Sequence, residues 1–166
     1  MSQGTPKGLW ILVVMLFPLH FVLHVGFGLG ESAPDLLTIG LLLTAREVGI
    51  GGASLVGLLF GLVEDSLTVL AFGANSVTMT VIGVFGAFTR DLFVGDSRLF
   101  VFSYFLAGKW MRDLLHWMVM GQEFRQPFVE QVLVEGASAA LYAALVGLSL
   151  IHISEPTRPR LISYAV

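Results

Sequence analysis

Cysteine is absent from this chain and charge is scarce. With no cysteine there can be no disulfide, thiol nucleophile or thiolate metal site. Only 13% of the 166 residues are charged, about half the roughly 25% of an average soluble protein. The solvating surface of a water-soluble domain is therefore missing. A net charge of −3 carries no message about nucleic acid. What the sequence has instead is apolar: 55% of residues are hydrophobic and the mean hydropathy is +0.84. Such a chain belongs in a bilayer, where every backbone polar group must pair internally and helices are the simplest solution.

The pattern predicts an all-α, polytopic integral membrane bundle of about six transmembrane helices. The first apolar run, 9–25, is long for a cleavable leader and no small-residue cleavage site follows it, so it reads as a retained helix over 9–28. Trp10 suits an interface, Pro18 an internal kink, and Gly26, Gly28 and Gly30 an end. Residues 31–35 read as a turn, with Pro34 at the first position of a second helix, 36–45. That run is too short to cross alone; it needs Asp35 and Arg46 at the two interfaces, or a thinner membrane. The alternative is one bent element over 35–63, which reduces six spans to five. Helix three covers 50–63. Helix four starts at Asn75 or Ser76 acting as N-cap and runs to Arg90. A polar turn over 90–98 leads into helix five, 99–119, and a last run begins at Phe128 with Glu130 and Glu135 near its positive end.

Small residues mark packing faces. Ala53, Gly57 and Gly61 share one face of helix three, and Ala137, Ala140, Ala143 and Ala144 one face of the last helix. With the N-terminus cytoplasmic and six spans, Lys7, Arg46, Arg90 and Arg98 fall inside and only Arg125 outside, as the positive-inside rule favours. This orientation moves Glu64 and Asp65 to the outer boundary, where charge is tolerated. The stretch 51–75 then reads as a docking element, with glycines for packing and a Phe72-Gly73-Ala74-Asn75 turn.

Inside helix five, Lys109, Arg112, Asp113 and His116 recur at spacings of three and four, so they share a face that cannot look at lipid. Three readings stay open. Lys109 can pair with Asp113 and Arg112 with Asp113 or His116; the side chains can snorkel; or the face is a polar seam against the bundle or a partner subunit. Catalysis finds little support. Ser54 has no well-placed base, His20 and His24 lack a third metal ligand, and Gly26-x-Gly28-x-Gly30 follows a membrane helix without any phosphate motif. No catalytic, cofactor or metal residue is expected, and the protein is not expected to be an enzyme.

From Leu148 the sequence changes character, LSLIHISEPTRPRLISYAV. Residues 148–158 resemble a translated transposase-type sequencing adapter, and 162–166 the flow-cell primer that follows it in frame, with 159–161 fitting the index between them. Residues 148–166 are accordingly read as an artefact, which leaves residues 1–147 as a single transmembrane domain truncated in its last helix.

In order and spacing, these features resemble the MreD family of rod shape-determining membrane proteins. The residues that carry the resemblance are Pro34-Asp35-Leu36-Leu37, the basic break at Arg46, Gly57 and Gly61, Glu64-Asp65-Ser66, the turn Phe72-Gly73-Ala74-Asn75, and Gly83 with Gly86. It spans about residues 9–147. Glu64 and the charge of helix five depart from the family pattern. The resemblance implies a non-enzymatic subunit of the cell-elongation machinery in the bacterial cytoplasmic (inner) membrane, helping to maintain rod shape and organise lateral peptidoglycan synthesis. Its implied partners are an MreC-like protein and, through it, MreB, RodA and a class B penicillin-binding protein. The expected packing or partner residues are Pro34, Asp35, Gly57, Gly61, Glu64, Asp65, Asn75, Lys109, Arg112, Asp113 and His116. The family is also distantly similar to substrate-binding subunits of energy-coupling-factor transporters, so the alternative is a small-molecule, vitamin-type carrier.

Overall fold

A computed structural model describes residues 7–26, 34–68, 71–89 and 98–154. Among them every regular element is helical. The helices are α1 (Lys7–Phe21), α2 (Leu36–Glu47), α3 (Ile50–Leu67), α4 (Ala74–Thr89), α5 (Arg98–Val119) and α6 (Gly136–Ser154). Short π-helical stretches extend α1 over Val22–Gly26 and precede α6 over Val129–Glu135. Three apolar helical spans are long enough to cross a membrane: Gly8–Val25, Ile50–Leu67 and Val129–Ile151. The expected turn at 31–33, the loop at 90–97 and the end of the tail lie outside the described residues. Helix α6 itself continues past Gly147 to Ser154, with Leu148 and Ile151 against the core.

Helix α2 is the hub. Its 12 residues make a rod of only about 18 Å, too short to span a hydrocarbon core. All ten residues from Leu36 to Ala45 are buried, and α1, α3, α4, α5 and α6 all pack on it. The short helix is thus solvated by protein. Around it the core joins Leu37, Ile39, Leu41 and Leu42 to Met79 and Ile82 of α4 and Phe105 of α5. The outer faces stay apolar, with Val14 and Met15 of α1, Leu55 and Leu59 of α3 and Phe85 and Phe88 of α4 all exposed. An exposed apolar surface of this extent suits lipid.

Glycine sets the closest approach. A Cβ at Gly57 would run into Met79 O, and one at Gly61 would sit 2.5 Å from Asn75 O. The backbones of α3 and α4 meet there with no room for a side chain. The connecting turn holds Ala71 at φ 58° and Gly73 at φ 95°, and the left-handed region strains the alanine but not the glycine.

Three boundaries differ from the sequence reading. Pro34 is outside α2, whose N-cap is Asp35; its carboxylate accepts from Thr38 N at 2.9 Å and Thr38 Oγ1 at 2.7 Å. Helix α3 continues to Leu67, so Glu64 and Asp65 are in its last turn and not beyond its end. Helix α4 begins at Ala74, and neither Asn75 nor Ser76 caps it. Their own N–H groups are the unpaired donors of its first turn, and a side chain from α3 meets them.

Candidate functional site

That side chain is Asp65. It is completely buried, accepting from Asn75 N at 3.1 Å, Ser76 N at 2.9 Å and Ser76 Oγ at 2.5 Å. A carboxylate at a helix N-terminus meets both the free amides and the positive end of the dipole. Asp65 therefore does across the hairpin what an N-cap usually does locally.

Glu64, one residue earlier, points to another helix. Arg112 Nη2 donates to Glu64 Oε2 at 2.7 Å and to Asn75 Oδ1 at 2.9 Å, while Nη1 donates to Asp113 Oδ1 at 3.2 Å. Lys109 Nζ lies 2.5 Å from Asp113 Oδ1 and 3.2 Å from Asp35 Oδ2. His20 of α1 closes the group, its Nε2 4.0 Å from Glu64 Oε1. One network therefore ties α1, α2, α3 and α4 to α5. These pairs are largely removed from water, with 15% or less of each charged side chain exposed, so losing one partner strands the others.

Two of the three open readings of helix five hold together here. The intrahelical pairs Lys109–Asp113 and Arg112–Asp113 form, and the same cations also reach Asp35 and Glu64. His116 accepts no Arg112 bond; it lines a cavity instead. Glu64 and Asp65 do stand at one end of the bundle, in the last turn of α3, but both carboxylates are enclosed by helices of this chain. Asp65 offers no surface to a docking partner. Of the remaining expected residues, Gly57 and Gly61 are buried in the α3–α4 contact, Gly61 against the Asn75–Ser76 backbone that Asp65 caps, and Pro34 stands at the cavity edge.

The cavity opens at the end of the bundle where α1 and α3 finish and α2 and α4 begin. Its volume is about 830 Å³, within the range typical of small-ligand sites. Asp35, Glu64, Lys109, Arg112, Asp113 and His116 contribute from below, and Glu135 and Tyr142 from the sixth-helix side. Sequence spacing gave no hint of His20 as a neighbour of Glu64, nor of Glu135 facing the seam. The available clue was alternation: in an up–down bundle, the end of helix three and the second half of helix five reach the same side.

His20 and His24 stack, with ring centroids 3.9 Å apart, and His24 Nδ1 lies 3.0 Å from His20 O. Among the described residues, no group of three or more His, Asp or Glu side chains is placed to hold a metal ion. Among the described residues, fold and site together define an all-helical protein with three helices long and apolar enough to cross a membrane and a charged network at one end of the bundle. No family model, curated protein or solved structure matches the chain.

Proposed function

We propose that this protein is a non-enzymatic, MreD-like subunit of the bacterial cell-elongation machinery, residing in the cytoplasmic membrane with its N-terminus inside. One observation carries the reading. The residues behind the resemblance converge on architecture: Asp35 caps the central helix, Gly57 and Gly61 seat α3 on α4, and Asp65 caps α4. Residues conspicuous in the motif thus serve a rigid frame, which an assembly subunit needs and a catalyst would supplement with reactive groups. Six spans fit this frame, with α2 crossing inside protein. Arg46 and Arg98 lie at the end opposite the charge network, in keeping with a cytoplasmic N-terminus.

The partners proposed are an MreC-like protein and, through it, MreB, RodA and a class B penicillin-binding protein. Depletion of the protein in its host, followed by microscopy, tests the role. Rounded cells that regain rod shape on re-expression are the expected result, together with co-purification of an MreC-like protein. Unchanged shape after depletion would refute it. The cavity favours a second reading, a vitamin-type carrier; lost uptake with normal shape would select it.

A further inference from the structure

We propose that the cavity is a water-filled vestibule that hydrates the charge network at hydrocarbon depth, from one side of the membrane only. Such a vestibule is independent of any role in cell shape. Depth is the first observation. Asp35 stands eleven residues from Arg46 along α2, and Lys109 eleven residues from Arg98 along α5. At 1.5 Å per residue both intervals are about 17 Å, and the 3.2 Å Asp35–Lys109 pair puts the two measures at one level. A hydrocarbon core is about 30 Å thick. With Arg46 and Arg98 at one boundary, the network therefore lies inside the core and not at its far edge. The outward faces at that level agree. Val22, two residues from His20, Leu62, two from Glu64, and Met111, between Lys109 and Arg112, are apolar and exposed.

Sidedness is the second observation. Above the network, the cavity of about 830 Å³ has room for about two dozen waters at ~30 Å³ each. Gln131, Ser138 and Tyr142 continue its polar lining on the sixth-helix side. Below the network, Leu37, Leu41, Leu42, Met79, Ile82 and Phe105 are at most 2% exposed. Glycine makes this floor tight: a Cβ at Gly108 would meet Leu42, and one at Gly147 would meet Phe105, each at 2.7 Å. The opening thus faces away from Arg46 and Arg98, which is outward in the orientation proposed above; only that label rests on the orientation. An acyl chain drawn into the space would strip Asp35, Glu64 and Lys109 of their remaining hydration, whereas water leaves the ion pairs intact. Water is the occupant the charges select.

The chain has no cysteine, so single-cysteine variants of the full chain test this in sealed membrane vesicles of both orientations. The probes are two membrane-impermeant methanethiosulfonates, one anionic and one cationic, which react with a thiolate. Ala139 and Tyr142 line the cavity, whereas Leu141 of the same turn is exposed outside it. Ala139→Cys and Tyr142→Cys should react at least about tenfold faster than Leu141→Cys, because lipid raises a thiol's pKa and each unit removes about nine-tenths of the thiolate. They should do so only from the side that leaves Gly49→Cys unlabelled. Gly49 is exposed between α2 and α3, where a Cβ meets nothing within 4 Å. Complete labelling in denaturing detergent verifies each thiol, and elution with the parent on size exclusion verifies each fold. Rates as slow as that of Leu141→Cys on both sides would overturn the vestibule, because lipid or protein then fills the space. Equal labelling from both sides would overturn the closed floor. Labelling from the cytoplasmic side, with Gly49→Cys labelled from outside, would support the vestibule and reverse the orientation of the chain, so the two readings fail separately.

Discussion

Asp65 and Glu64 are neighbours in sequence, and the regions they serve handle buried charge differently. At the α3–α4 hairpin, Asp65 is met by neutral donors only, two backbone amides and one hydroxyl. At the α5 face, Glu64 is met by a cation that is itself shared with Asp113 and Asn75. The first arrangement is local, closing a turn between two helices whose backbones touch at glycines. The second is global, linking five helices through long side chains beside an open cavity. A buried carboxylate can therefore be stabilised by geometry at a helix end or by charge across a bundle. The two solutions should fail differently.

The largest effect should come from breaking the hairpin's packing. Gly61→Val would drive a side chain into the α4 backbone, with Asn75 O only 2.5 Å from the new Cβ. Little or no monodisperse protein should be recovered by size exclusion, whereas Gly8→Ala, where a Cβ meets nothing within 4 Å, should behave as the parent. Next comes Arg112→Met, which strands Glu64 while Asp113 and Asp35 keep Lys109. Removal of one partner from a buried pair costs about 3–5 kcal/mol, measurable as a lowered unfolding midpoint in mild detergent. Asp65→Ala should follow at about 2–3 kcal/mol, because buried amides and a hydroxyl lose their acceptor. If that variant were as stable as the parent, the cross-hairpin cap would be wrong. The smallest effect has the opposite sign. Ala71→Gly relieves a left-handed alanine at φ 58° and should stabilise by about 0.5–1 kcal/mol, seen as a small rise in the same midpoint.

The helical class was readable in the sequence because apolar runs and polar breaks alternate at bilayer lengths. Gly57 and Gly61 were legible too, since small residues four apart leave a groove whatever fills it. Less accessible was the fate of α2. Its length excluded an ordinary lipid-facing span, but only the assembled bundle shows five helices covering it. The charged face of α5 was visible from spacing alone, while its partners Asp35, Glu64 and Asn75 come from three other helices. Periodicity describes one helix at a time and carries no register between helices. For the same reason, the sequence places Glu64 and Asp65 at a helix end without showing that other helices of the chain enclose them. The cap from Asp65 to Asn75 and Ser76 crosses a turn of unusual backbone, a contact no capping pattern encodes.

The claim that the charges of α5 are balanced inside the chain is open to one direct measurement. A double-mutant cycle with Glu64→Gln and Arg112→Met, read by unfolding of the purified protein without any partner, isolates their interaction. The network predicts a coupling of about 2 kcal/mol, with the double variant more stable than Arg112→Met alone. Additive effects, within about 0.5 kcal/mol, would contradict it and return Arg112 to the role of a residue awaiting a partner subunit.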